Sequence, residues 1–216
     1  AENPTGIVNV KLENGQPSYE IVKNVAWDFL ELSESWCEIT QKSDAVCFGS
    51  LAQRNEVSGK TIREFVGVTK GLRIFDVNLR QGYFSEGILE KSFELANVVK
   101  LNHEELPIIV KLLNINGASV QICLEKLIQR FELNLICLTQ GANGSLLKTR
   151  KEFSEHQGLK IKVADTIGAG DAFTAGMIHG LLRNWELYRI NEFANRVGAF
   201  VASNTGAMPD FSRFES

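Results

Sequence analysis

The chain has 216 residues, 44% apolar and 23% charged, and its 26 acidic and 23 basic residues leave a net charge of −3. That is length for one domain with a sizeable core, in a composition ordinary for a soluble globular protein. No Lys/Arg run marks a nucleic-acid partner, and no apolar run approaches the ~20 residues of a membrane span.

The residues after Ala1 are polar and show no signal-peptide pattern, so the expected location is cytoplasmic. Gly6 to Leu12 alternates and predicts a strand. Glu13-Asn14-Gly15-Gln16 is a hairpin turn signal, and Ser18 to Val22 returns as an antiparallel appendage. Trp27 to Ile39 has helical spacing, and Ala45 to Gly49 reads as a short buried strand. A helix is predicted from Asn55 to Thr69, with Val57, Ile62, Phe65 and Val66 inward, then a strand from Arg73 to Asn78. Further helices are predicted at 85–96, at 103–113 with a kink near Pro107, and at 118–131. Strands are predicted at 98–101 and 133–139, and glycines 141 and 144 turn the chain back into Ser145-Leu146-Leu147. Leu159, Ile161 and Val163 alternate as a strand, and the last helix runs from Arg189 to about Ala202. Strands alternating with helices predict a mainly parallel sheet covered on both faces, with ligands at the strand ends. Cys37, Cys47, Cys123 and Cys137 form no Cys-x-x-Cys pair and are expected as buried free thiols. His103, His156 and His179 are isolated, which argues against a structural metal.

The most informative stretch is Asp165-Thr166-Ile167-Gly168-Ala169-Gly170-Asp171, running directly into a helical pattern. The first turn of a helix leaves N–H groups unpaired and carries partial positive charge, and glycine lets an anion approach. Phosphate is the usual occupant of such a site. A carboxylate at Asp171 is then out of place for binding alone, but suits a general base that removes a proton from an attacking hydroxyl. The structural alternative is that Asp171 caps the helix or complements its dipole. The full string, continued by Ala172-Phe173-Thr174-Ala175-Gly176, resembles the signature of the ribokinase-like sugar kinases, the phosphofructokinase B family. The resemblance implies a ribokinase-like three-layer α/β sandwich, with Gly168, Ala169 and Gly170 as the anion hole and Asp171 as catalytic base.

Other strand ends fit the same resemblance. Asp76-Val77-Asn78-Leu79-Arg80 is, on its residues, either a turn cap with a surface Arg or a polar row along one side of an extended segment. It resembles the Asp-x-Asn-x-Arg motif of fructokinases and 2-keto-3-deoxygluconate kinases, which implies that Asn78 and Arg80 reach the sugar or the phosphate. Asn102-His103-Glu104-Glu105 is a capping-box pattern. In the family the same spacing organises Mg²⁺, water and the nucleotide phosphates, which implies those roles for Asn102 and Glu105. Thr139, Gly141 and Gly144 fall in the family's loop beside the nucleotide, and Asn195 and Asn204 near the adenine. A Gly after a helix is first of all a C-cap, yet Asp165, the carbonyl of Ile167 and Gly206 are implied as ligands of a monovalent cation such as K⁺.

The resemblance covers nearly the whole chain, with its motifs in the family's order. Trp27-Asp28 and Phe48 to Arg54 look like the fructokinase branch. The family's leading segment and its Gly-Gly sugar motif are absent from these 216 residues. The expectation is therefore a single ribokinase-like domain lacking its N-terminal segment and weakly active or inactive alone, with residues 6–22 as a lid or homodimer contact. The implied function is phosphoryl transfer from MgATP to fructose or a similar ketose. The alternatives are a 2-keto-3-deoxygluconate kinase and a non-catalytic nucleotide-binding relative.

Overall fold

The computed structural model describes residues 3–13 and 16–214. Strands β1 (Val8–Glu13) and β2 (Gln16–Ile21) pair antiparallel, Val8 opposite Ile21 and Glu13 opposite Gln16. The turn residues Asn14 and Gly15 lie outside the described residues. A separate six-stranded sheet runs in chain order: β3 (Ala45–Gly49), β4 (Leu72–Asp76), β5 (Val98–Asn102), β6 (Leu135–Thr139), β7 (Ser145–Lys148) and β8 (Phe153–His156). β3 to β6 are parallel, and β7 and β8 continue antiparallel.

Side chains on a strand alternate between the two faces of a sheet, and here each parity feeds a different core. Phe75, Val99, Leu101, Ile136, Leu138 and Leu146 face one core, closed by α2 (Glu56–Gly67), α3 (Glu86–Leu95), α4 (Glu105–Leu112) and α5 (Val120–Arg130). Ile74, Val98, Leu135, Cys137 and Leu147 face the other, closed by Phe173 and Met177 of α6 (Ala169–Leu182) and by Ile190 and Ala194 of α7 (Leu187–Ala202). The result is the expected three-layer sandwich.

Several sequence expectations are corrected. The pattern from Trp27 to Ile39 splits into a 3-10 turn, Ala26–Asp28, and a later helix α1, Glu34–Lys42, capped by Ser33. Between them Leu30 gives its N–H to Ser58 Oγ and its carbonyl to Thr61 Oγ1, so tertiary bonds replace helical ones. Those hydroxyls occupy the inner face of α2, and Val57 is exposed rather than inward. Pro107 causes no kink. The helix begins at Glu105, which puts Pro107 in the first turn, where an N–H would be unpaired anyway. No strand forms at Leu159–Val163. β8 already closes the antiparallel run, and the three apolar side chains are exposed. β3 is an outer strand rather than a buried one, and Cys47 is exposed, Cys37 half-buried, and only Cys123 and Cys137 are enclosed. Burial pushes the Cys137 thiol well above its ordinary value.

Candidate active site

The parallel strands end together. Gly49 lies beside Asp76, Asp76 beside Lys100, and Asn102 beside Thr139. This is the carboxyl edge of the sheet, where open α/β folds place their ligands, and the first turn of α6 sits over it.

Gly168 forms the N-cap of α6 in the left-handed region, φ +78°. A Cβ there would lie 2.7 Å from the Ala207 methyl, so both conformation and space require glycine. Asp165 holds the turn. Its carboxylate accepts the Ile167 N–H at 2.9 Å and the Gly206 N–H at 3.2 Å, tying the signature to the segment after α7. The N–H groups of Gly170 and Asp171 meet no acceptor among the described residues. Asp171, third residue of the helix, is exposed and makes no cap bond, so it is not the N-cap. With Gly168 it borders a 610 Å³ apolar cavity that continues past Ala172 and His179 to Phe193 and Met208.

Beneath this turn lies a polar cluster that reading the motifs in sequence missed. Asp76 and Lys100 each stand on the sheet face that packs α6, in positions where their strand neighbours Ile74 and Val98 are core. Lys100 Nζ is 3.0 and 3.2 Å from the two Asp76 oxygens, and both residues are buried. Thr174 Oγ1 from α6 lies 2.9 Å from Asp76 Oδ2 and 3.0 Å from the Gly170 carbonyl, two acceptors sharing one hydroxyl hydrogen. The sequence signal was a lysine inside the apolar run Val98-Val99-Lys100-Leu101.

The loop after β4 carries Asn78 at φ +44°, half-buried, beside a 280 Å³ cavity bordered by Trp27, Gly49 and Leu51. Arg80 is exposed, and among the described residues its fork bonds its neighbour's carbonyl, Nη1 to Leu79 O at 3.1 Å. Glu105 is buried and commits both oxygens to backbone, accepting the Leu79 N–H and the Asn102 N–H, each at 2.8 Å. Asn102 Oδ1 accepts in return from Glu104 and Glu105 N–H at 2.9 Å. The capping box is therefore formed, and Glu105 also locks the Asn78–Arg80 loop to it. No group of three or more His, Cys, Asp or Glu able to hold a metal occurs among the described residues.

Thr139 and Gly141 stand at the end of β6, and a side chain at Gly141 would meet open space. Gly144 differs, because a Cβ there would collide with the His156 carbonyl; it holds the turn against the strand-end loop. Asn195 is buried and places its amide nitrogen 2.7 Å from Ser145 Oγ within a network shared with Asn191. Asn204 donates to the Phe200 carbonyl at 2.8 Å, finishing α7. These last two spend their side-chain nitrogens within the protein.

The chain is 32% identical over 213 residues to the uncharacterized sugar kinase PH1459 of Pyrococcus horikoshii, covering 94% of this chain and 64% of that protein. The solved structure of that protein aligns with a TM-score of 0.79. A fructokinase of Escherichia coli is 29% identical over 212 residues, 91% of this chain and 66% of the relative. A fructokinase double mutant of Vibrio cholerae O395, solved with fructose, ADP and potassium ion, aligns with a TM-score of 0.77 at 25% identity, covering 96% of this chain and 70% of that one. The chain thus spans a little under two thirds of the length of the curated relatives it matches. The model of the pfkB family carbohydrate kinases matches residues 2–212, every element that builds the strand-end edge included, and the chain belongs to that family.

Proposed function

We propose that this chain carries the phosphoryl-transfer site of an ATP-dependent sugar kinase acting on fructose or a similar ketose. The observation that carries the reading is an exposed Asp171 carboxylate with no hydrogen-bond partner among the described residues, beside two N–H groups at a helix N-terminus that meet no acceptor among them. Asp171 accepts the proton of the acceptor hydroxyl. The sugar oxygen then bonds to the γ-phosphorus as the bond from that phosphorus to the bridging oxygen breaks, releasing ADP. Gly168, Ala169 and Gly170 present backbone to the transferred phosphoryl oxygens, and such reactions rest mainly on positioning and electrostatics. Asn78 and Arg80 face the acceptor side. Thr139, Gly141 and Gly144, with Asn195 and Asn204 behind them, form the nucleotide side, where Gly141 is the open position and the two asparagines act through the backbone they hold.

Glu105 is buried and accepts one backbone N–H on each oxygen, and Asn102 Oδ1 already accepts two N–H groups. That donor set suits a Mg²⁺ bound to ATP phosphates and water, with Asn102 and Glu105 in contact through water. When bound, the ion neutralises phosphate charge. A K⁺ between the two loops that Asp165 joins would take the carbonyl of Ile167 and the Gly206 segment. The hairpin at residues 6–22, an appendage of the single domain 1–216, is proposed as a lid or a homodimer contact.

Fructose is favoured because relatives named fructokinase match along most of this chain. The exposed Arg80 fork favours a second reading, a keto acid sugar such as 2-keto-3-deoxygluconate, whose carboxylate it would bind through two bonds. The test is ADP release by the natural polypeptide carrying this chain, with MgATP and fructose, 2-keto-3-deoxygluconate, ribose or adenosine. Fructose-dependent turnover is expected. Turnover with another acceptor alone keeps the mechanism and removes the ketose, and ATP binding without turnover on any acceptor moves weight to the non-catalytic reading.

A further inference from the structure

We propose that Lys100 is a positioning residue of this site, held by Asp76 and Thr174 as a fixed positive charge beneath the Gly168–Gly170 turn. The proposal rests on the kinase reading for the identity of the anion, and on this chain's own geometry for the rest.

The position is the first argument. Lys100 occupies the strand face whose other members, Val98, Leu135, Cys137 and Leu147, build the core under α6 and α7. An apolar pair in place of a buried ion pair is often neutral or stabilising, so packing does not explain the charges. The orientation is the second. A Cβ built on Gly170 would lie 3.5 Å from Lys100 Nζ, which puts the ammonium directly under the turn. Alone an ammonium here would oppose the helix dipole, and the Asp76 carboxylate offsets it. The third is donor count. An ammonium has three N–H donors and Asp76 takes at most two, which leaves one. Thr174 completes the brace, its one hydroxyl hydrogen shared between Asp76 Oδ2 and the Gly170 carbonyl, which ties the first turn of α6 to the ends of β4 and β5. Such an arrangement is preorganised for charge and loses little to solvent.

The test compares the natural polypeptide with Lys100→Arg, Lys100→Met and the double variant Asp76→Asn/Lys100→Met, which leaves no unpaired buried charge and so guards against loss of folding. Two readouts are used. Titration with inorganic pyrophosphate reads the anion site without turnover, and steady-state kinetics separates kcat from the acceptor KM. The expected result is at least tenfold weaker pyrophosphate binding in both Met variants, partial rescue by Arg, and a fall in kcat of at least tenfold at unchanged acceptor KM. A folded double variant with pyrophosphate affinity within twofold of the natural protein overturns the proposal. So does failure of every form to bind pyrophosphate. If the natural protein binds pyrophosphate in a Lys100-dependent way but turns over no sugar, Lys100 keeps its role at an anion site and the kinase reading falls alone.

Discussion

At the scale of single residues, the same side-chain chemistry takes different duties according to what it meets. Asp165 and Asp171 are carboxylates at the start of α6, and Glu105 is one at the start of α4. Asp165 and Glu105 are spent on backbone N–H groups, and Asp171 is exposed with no hydrogen-bond partner among the described residues. Replacing Asp171 by Asn keeps shape and removes the proposed proton acceptor. The expected outcome is a loss of ~10²–10⁴ in kcat with ATP affinity little changed, read by steady-state kinetics and nucleotide titration. Glu105→Gln offers one acceptor oxygen where two N–H groups now bind. It should destabilise by about 1–3 kcal/mol in urea unfolding and loosen the Asn78–Arg80 loop, raising the acceptor KM. The signature residues were legible because they are contiguous. The Asp76–Lys100–Thr174 cluster was not, because its members are separated by 24 and 74 residues and meet only through strand register and the docking of α6.

At the scale of elements, the buried Arg54 side chain ties the end of the hairpin β1–β2 to the body, beside Tyr83 Oη, which donates to the Ile21 carbonyl at 3.3 Å. Arg54 donates to both Asp28 oxygens at 2.7 and 2.8 Å and to the Val22 carbonyl at 2.5 Å. Its guanidinium carbon also lies 4.0 Å from the Trp27 ring centroid and 4.8 Å from that of Tyr83. Burial alone would push the Asp28 carboxyl up; the Arg54 guanidinium and the Val25 N–H outweigh it and hold it below its usual value. A folded-state value below the unfolded one means stability present above the unfolded value, ~4, and lost as pH falls through the folded one. Asp28→Asn should therefore destabilise at neutral pH yet show a flatter dependence on acid than the natural chain, measured by urea unfolding across that range. Arg54→Ala leaves Asp28 buried and unpaired at a cost of about 3–5 kcal/mol. The faster amide exchange should be concentrated in Val8–Ile21; uniform exchange throughout would deny Arg54 its role as the tie.

At the scale of the molecule, the sheet is the partition between two cores, and Phe75 anchors one of them. Its ring lies 5.2 Å from Phe48 and 5.6 Å from Phe93 and is wholly buried. Phe75→Ala should cost about 3–5 kcal/mol of unfolding free energy in denaturant titration. It is adjacent to Asp76, so kcat should fall with stability if the strand ends hold the site as one unit. Residues alone were enough to state the alternation of strands and helices, the hairpin and the turn before α6. These follow from local period and from contiguous turn residues. Packing in three dimensions decided the rest. It broke the Trp27–Ile39 pattern, because hydroxyls of α2 took the backbone groups of Leu30. It left Leu159–Val163 outside the sheet, because alternation defines a face but a strand also needs a neighbour to bond. It set Lys100 under the first turn of α6, because strand register and the seat of a helix are contacts between distant parts of the chain, which no local window contains.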